Sequence, residues 1–444
     1  MNPLNRRLFL GLLGATAATV TVAGCAGTGG DDTSGDAGSG GGGGGGGDAG
    51  TITFWSNHPG SSKATEEELI ATFEQENPDL KVNLVDGGKN YEEVAQKLNA
   101  ALTGNDLPDV VVVSDVTWFN FALNEQLAPL DDLFEEAGVK TDEFVDALFD
   151  DYILEDKSYG LPYARSTPLF YYNKQVWEQA GLPDRGPESW DEFMEWAPAI
   201  QEAVGDGKHA IAMYDGANYL DWTMQNMIWE DGGAYSVGWE ATFTDPNTIA
   251  GVERLKQIND DGYLVVSADS ITEFASGLAA CAMASTGSLK TATENAQFEF
   301  GTAFLPGAKA NSSCPTGGAG LGIPAGISRE RQINALKFIN SITSTQGTAK
   351  FAQATGYMPV RKGAKEAQEI KAYLEETPQA ATAIDQLEFT RPQDNARVFV
   401  PNGGTRIGGG LDKVLAGQDV RQVMEELQTE TQQIIDTQLT PKLG

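Results

Sequence analysis

Leu169-Phe170-Tyr171-Tyr172 is an unbroken apolar and aromatic run, the pattern of a strand buried on both faces. Pro168 opens it, where a missing N–H costs no ladder bond. Beyond it Asn173 opens an amphipathic helix in which Val176, Trp177 and Ala180 share one face, and Gly181 stops it. Arg165-Ser166-Thr167 precedes the run. The chain is read to cross here from one lobe to another, with Ser166 on the floor of the cleft between them.

Upstream, the pattern predicts strands over 51–55, 80–85 and 109–113, the last a valine run ending in Ser114-Asp115. A helix over 66–76 carries Leu69, Ile70 and Phe73 on one face. A second runs from the Asn90 cap to Leu102, with Val94, Leu98 and Ala101 inward. This β-α-β-α-β order is that of a doubly wound sheet, and ligands of such sheets gather at the carboxyl ends of strands. Trp55 and Asp115 stand at such ends, and Tyr91 starts the helix after the second strand.

Downstream, 190–201 and 249–259 read as helices, and 214–239 is rich in aromatics, among them Tyr219, Trp222 and Trp229. The small-residue strand 278–285 reads as the return crossing. Ser285-Thr286-Gly287-Ser288 opens a helix whose free N–H groups suit an anion. Strands over 300–306 and 317–324 are assigned to the first lobe, and the helix over 333–342 to the third crossing. The rest is mostly helical, interrupted by the loop Gly356-Tyr357-Met358-Pro359 and the turn Asn402-Gly403-Gly404-Thr405-Arg406. The division that follows is 51–165 plus 285–340 for an N-terminal lobe and 166–284 plus 341–444 for a C-terminal lobe.

With 444 residues there is room for two domains, and 41% apolar residues suffice for their cores. A net charge of −33 argues against nucleic acid or an anionic membrane surface as the partner; a surface so acidic stays hydrated at high salt, which fits a halophilic source. Residues 1–25 read as a targeting signal. Arg6-Arg7 before Leu8-Phe9-Leu10 resembles a twin-arginine export signal, and Val22-Ala23-Gly24-Cys25 resembles a lipoprotein processing site with Cys25 as the lipidated residue. Residues 26–50, mainly Gly, Asp, Ser and Ala, form a flexible tether. The globule is thus expected on the extracellular face of the membrane, lipid-anchored.

The order of motifs over roughly residues 51–435 resembles the extracellular solute-binding proteins of ABC importers, and within them the glycerol-3-phosphate-binding branch. Asn77-Pro78, Lys89-Asn90-Tyr91-Glu92, Ser166-Thr167-Pro168 with Tyr171-Tyr172-Asn173-Lys174, Gly287-Ser288-Leu289, Gly317-Gly318-Ala319 and Thr355-Gly356-Tyr357-Met358-Pro359 carry the likeness. It implies two α/β lobes of the type II periplasmic-binding-protein kind, with mixed sheets flanked by helices, a hinge between lobes, and membrane permease subunits as partners. The pocket it implies comprises Tyr91, Asp115, Ser166, Ser285, Gly318, Tyr357 and Arg406. Asp115 departs from the family pattern, which carries the longer Glu there. No cofactor and a monomer are implied.

Within that pocket Arg406 is the expected phosphate clamp, since a guanidinium offers two parallel charge-assisted bonds; the alternative is a surface arginine paired with one of many carboxylates. Ser166, Ser285, Tyr357 and the Gly318 N–H are neutral donors. Asp115 and Tyr91 suit the hydroxyls of a polyol. Trp55 and Arg165 are further candidate contacts; Arg165 is either a second anion contact or an inter-lobe pair. Tyr219, Trp222 and Trp229 fit either a sugar ring, a choline-like cation or plain core packing. Cys281 and Cys314 are the one pair available for a disulfide in the globule. Only two histidines, His58 and His209, are present, in no metal-ligand or nucleophile spacing, and no phosphate-binding GxxxxGK[ST] loop occurs. The expectation is a non-enzymatic, metal-free receptor for glycerol-3-phosphate or a related glycerophosphodiester. The alternatives are a receptor for a neutral sugar or oligosaccharide and, more distantly, a secreted glycosidase.

Overall fold

The structure, a computed structural model, describes residues 50–104 and 106–443. The leader with Cys25, and the tether up to residue 49, lie outside the described residues. Among the described residues no helix is long and apolar enough to cross a membrane.

Ten strands build two five-stranded sheets. In chain order they are β1 (Thr51–Ser56), β2 (Lys81–Asp86), β3 (Val110–Ser114), β4 (Leu161–Ser166), β5 (Pro168–Asn173), β6 (His209–Tyr214), β7 (Leu264–Ser267), β8 (Ala279–Ser285), β9 (Phe300–Ala303) and β10 (Gly317–Gly322). The first sheet runs β2-β1-β3-β10-β4 and the second β7-β6-β8-β5-β9. Both are mixed. β1 pairs parallel with β2 and β3, whereas β10 is antiparallel to β3 and β4. In the second sheet β6 is parallel to β7 and β8, and β5 is antiparallel to β8 and β9. The fold is a two-lobed α/β architecture, each sheet with its own core.

Side-chain alternation explains why the valines of β3 are all buried. Val110 and Val112 enter one core with Phe54 and Phe338, while Val111 and Val113 enter another with Trp55, Leu98 and Trp118. A strand covered on both faces carries no polar alternation. Helices α1 (Lys63–Glu76) and α2 (Tyr91–Gly104) supply that cover, α1 through Leu69, Ile70 and Phe73 and α2 through Val94 and Leu98. The Leu169–Tyr172 run lies inside the second sheet, in the other lobe's core. β4 ends at Ser166 in the first sheet and β5 begins at Pro168 in the second. Thr167 alone makes the step, its carbonyl held by the Thr286 N–H at 2.9 Å.

Several assignments differ from the sequence-based division. Phe300–Ala303 is the edge strand of the second sheet, antiparallel to β5, so the return to the first lobe comes only at β10. Helix α3 (Leu220–Glu230) belongs to the second lobe, whereas α4 (Arg329–Ile342) packs wholly on the first lobe through Ala335, Leu336, Phe338 and Ile339. The crossing falls in α5 (Thr345–Thr355), where Phe351 faces the first core and Ala349 and Ala352 the second. Residues 357–361 stay with the first lobe: the Met358 N–H donates to Arg165 O at 2.8 Å and the Val145 N–H to Val360 O at 3.0 Å. The chain end also returns there, with Ile435 and Leu439 beside Trp55 and Trp118. An apolar period marks a buried face; it does not say which sheet covers it.

The disulfide expectation is corrected as well. Cys281 and Cys314 are both free and buried. Cys281 lies within β8 with its thiol directed at Ala210 O, 3.1 Å away. Cys314 belongs to a short ladder with Thr390. Burial pushes both thiols well above their ordinary pKa, so neither is a ready nucleophile.

Candidate functional site

A cavity of about 530 Å³ lies between the lobes, a size ordinary for a small-molecule site. On the first-lobe side β3 stops at Ser114, where the Thr117 hydroxyl accepts from the Ser114 N–H at 3.0 Å and closes a turn. The turn presents Asp115, whose own N–H donates to Gly318 O at 3.0 Å. Gly318 adopts φ +98°, and a Cβ there would stand 2.1 Å from Ala164 O. Only glycine lets β10 lie this close to β4 while its backbone lines the cleft. Tyr91 opens α2 and puts its hydroxyl 3.4 Å from that of Tyr357. Gly60, at φ +65°, packs on the rear of the Tyr357 ring, where a Cβ would meet it at 2.9 Å. Burial raises the pKa of both phenols, that of Tyr91 well above the ordinary value. Both are therefore neutral donors at physiological pH.

The second-lobe wall is aromatic and charged. Tyr219 precedes α3 and is 43% exposed at the cleft. Its ring meets Tyr214 edge-on at 5.4 Å and Trp222 at 6.3 Å. Trp222 donates its indole N–H to Thr316 O at 2.8 Å. Its ring lies against Gly317, where a Cβ would be 2.5 Å away. Next in sequence, Asp221 is buried and accepts the Arg397 Nε–H at 2.6 Å. Arg397 Nη1 bonds Gln393 Oε1 and lies 3.7 Å from Asp115 Oδ2. Burial opposes the Arg397 charge, but Asp221 and Asp115 outweigh it and raise its pKa. Burial likewise raises the Asp221 pKa, against the pull of Arg397. Arg397 Nη2 lies 4.0 Å from where a Gly404 Cβ would be. Gly404 sits in the first turn of α6 (Gly403–Leu415), whose early N–H groups have no intrahelical acceptor.

Six of the predicted residues thus converge on the cavity: Tyr91, Asp115, Ser166, Ser285, Gly318 and Tyr357. Ser285 caps the following turn, its hydroxyl accepting the Gly287 N–H at 3.1 Å, while Thr286 donates to Thr167. The helix-opening amides expected there to be free are in part already bonded. Tyr219 and Trp222 also line the cavity, as do Arg397 and Asp221, which sequence reasoning missed.

Arg406 is not among the lining residues. It lies two residues beyond Gly404 on α6 and donates Nη2 to Pro401 O at 2.8 Å, with Glu430 4.0 Å from its Nε. The arginine that reaches the cavity is Arg397 and not the expected Arg406: helical rotation turns residue 406 away while 404 faces in. The only local signal for Arg397 is its place between the apolar Ala396 and Val398 on a short helix, Asn395–Val398; its partner Asp221 is 176 positions away. Trp55 is buried beneath Lys97, whose ammonium stands 4.3 Å from its ring. Arg165 is fully buried under the floor, donating to Tyr152 Oη at 2.9 Å and paired with Asp151. Trp229 is buried, donating to the Asp394 carboxylate at 3.1 Å, with the Arg391 guanidinium 3.9 Å from its ring. These three do not line the cavity.

Asp394 supplies a pH prediction. Burial lifts its pKa from 3.8 to about 6, against the Tyr235 N–H, Trp229 and Arg391. The folded form then holds this proton more tightly than the unfolded chain. Its stabilising contribution is complete below the unfolded value and is lost as pH rises from about 4 to about 6. The full difference is on the order of 3 kcal/mol. Asp394→Asn should remove this loss, so the melting temperature of the variant relative to the parent should climb between pH 4 and 6. A constant difference across that range would refute the assignment.

Residues 68–379 match the profile of the bacterial extracellular solute-binding proteins. The sn-glycerol-3-phosphate-binding periplasmic protein UgpB of Escherichia coli (strain K12) is 27% identical over 354 residues, 76% of this chain and 80% of that protein. The crystal structure of UgpB from Mycobacterium tuberculosis in complex with glycerophosphocholine superposes with a TM-score of 0.84 at 50% identity, covering 88% of this chain and all of that one. The GacH receptor of Streptomyces glaucescens GLA.O, solved without ligand and with acarbose, shares the fold at a TM-score of 0.73 and 21% identity.

Proposed function

The chain belongs to the family of bacterial extracellular solute-binding proteins, and on that premise we propose that it captures a zwitterionic glycerophosphodiester for an ABC importer. The observation that carries the choice is the charge balance of the cleft. Among the described residues lining it, Glu92, Asp115, Asp221 and Asp269 face a single cation, Arg397. A phosphomonoester dianion would meet this excess of carboxylates unfavourably, whereas a phosphodiester carries one negative charge and can bring its own cation. The phosphate is received by Arg397 Nη2 with the first-turn N–H groups of Gly404 and Thr405, a guanidinium and a helix N-terminus acting together. Tyr91, Ser166, Ser285 and Tyr357 offer neutral donors to the remaining oxygens. The Tyr219 and Trp222 rings beside the acidic residues suit a quaternary or primary ammonium.

Because the donors come from both lobes, the ligand favours the conformation in which both reach it, and closure about the 166–168 and 315–317 crossings and α5 follows from that differential affinity. Release then occurs to a permease in the membrane. Export through the Arg6-Arg7 signal and anchoring at a lipidated Cys25 complete this reading, and both rest on sequence. Titration calorimetry of the mature protein with glycerophosphocholine, glycerol-3-phosphate and maltose tests the ligand. Glycerophosphocholine should bind at least about tenfold more tightly than glycerol-3-phosphate, a difference of about 1.4 kcal/mol, with the gap narrowing at high salt. Tighter binding of glycerol-3-phosphate would refute the charge argument, and binding of maltose alone would assign the cleft to sugars.

A further inference from the structure

Gln393 makes a bond that no ligand-contact role requires. It follows the two-residue strand Thr390–Arg391 and is nearly buried. Its neighbours are fixed to the second lobe: Asp394 is bonded by Trp229 and the Tyr235 N–H, and Ala396 lies in the second core. Gln393 Oε1 accepts from Arg397 Nη1 and from Gln225 Nε2, the latter at 3.1 Å. Gln393 Nε2 donates across the cleft to Asp115 Oδ2, on a residue 278 positions earlier in the other lobe. The amide orientation is dictated by chemistry. Arginine only donates and a carboxylate only accepts, so the oxygen must face Arg397 and the nitrogen Asp115.

We propose that Gln393 is the lobe-closing and charge-positioning residue of this receptor: through its one amide the first-lobe Asp115 and the second-lobe Arg397 are held in register before ligand arrives. The bond gives the empty protein a closed population. It also holds the Arg397 fork so that Nη2 is left for the ligand while Nε and Nη1 are occupied. A ligand that selects the closed form binds with an apparent affinity reduced by the fraction of protein not closed, so Gln393 acts on affinity without contacting the solute. This goes beyond the ligand reading above, and it is tested without any ligand.

The experiment is small-angle scattering of the ligand-free protein, with melting temperature recorded for every variant. Gln393→Glu keeps shape and the Arg397 partner but sets a carboxylate against Asp115. Its radius of gyration should exceed that of the parent. The double variant Asp115→Asn/Gln393→Glu should return to the parental value, because the new amide at 115 donates to the new carboxylate at 393 with the roles reversed. A merely structural role for Gln393 would not yield this rescue. If Gln393→Glu fails to fold, Gln393→Met, which lacks the donor, carries the test and should also expand. An unchanged radius in the folded single variant, or a double variant as expanded as Gln393→Glu, would overturn the proposal.

Discussion

Arg397→Ala should all but abolish capture of a phosphodiester and destabilise the protein at the same time. The lost charged hydrogen bond to the ligand is worth about 1.5–3 kcal/mol, and the side chain also holds Asp221 at 2.6 Å and faces Asp115 at 3.7 Å. Without it two carboxylates confront each other in a largely buried site, and breaking such a pair costs on the order of 3–5 kcal/mol of stability. Affinity should therefore fall on the order of a hundredfold, with a clear drop in melting temperature. Arg397→Lys keeps the charge but not the fork that serves Asp221, Gln393 and the ligand together, so stability should recover more than affinity. Arg406→Ala is the matched control. Its guanidinium is committed to Pro401 O outside the cleft, and affinity should stay within about twofold, below about 0.5 kcal/mol. If Arg406→Ala destroys binding and Arg397→Ala spares it, the assignment of the clamp is reversed.

The second large effect is expected at Gly318. Alanine there would need φ near +98° and would press its Cβ to 2.1 Å from Ala164 O. Backbone strain of that kind costs about 1–3 kcal/mol by itself. The clash is with a neighbouring strand's carbonyl, not with a side chain that can rotate, so β4 and β10 must separate. The Asp115 N–H bonded to Gly318 O at 3.0 Å would move with them. Gly318→Ala should lower stability by more than about 3 kcal/mol and weaken ligand binding even in the molecules that remain folded. Gly409→Ala provides the contrast. It lies inside α6 with nothing within 4 Å of the new methyl, and should raise stability by about 0.5–1 kcal/mol through helix propensity alone. Denaturant titration of both variants checks the pair, and equal effects would defeat the steric account.

Acidity limits how far charge alone explains recognition. A net charge of −33 repels any anionic solute at long range, and salt of physiological strength screens that repulsion beyond roughly 8–10 Å. The contacts of Arg397 are short and sheltered, so they persist where the surface field does not. A receptor of this kind selects by local geometry within a few ångströms, which is why Arg397, the one arginine among the described lining residues, carries so much of the expected loss.

Much of the architecture was legible in one dimension. Alternation and helical period follow from local chain geometry. The β-α-β-α-β start, the doubly covered run Leu169–Tyr172 and the step from Ser166 to Pro168 could all be read directly. Tyr91, Asp115, Ser166, Ser285, Gly318 and Tyr357 were legible through family-like motifs at strand ends and tight turns, and in space they gather on one cavity. The tertiary structure alone decided what depends on distant pairing. Phe300–Ala303 joined the second sheet because β5 had an open edge, and two buried cysteines stayed apart in separate elements. Arg397, and not Arg406, lines the cavity because Asp221, 176 positions away, anchors it, and Gln393 reached Asp115 across 278 positions. Such partners leave no period and no spacing in the sequence, since nothing local distinguishes an arginine facing solvent from one facing a buried carboxylate.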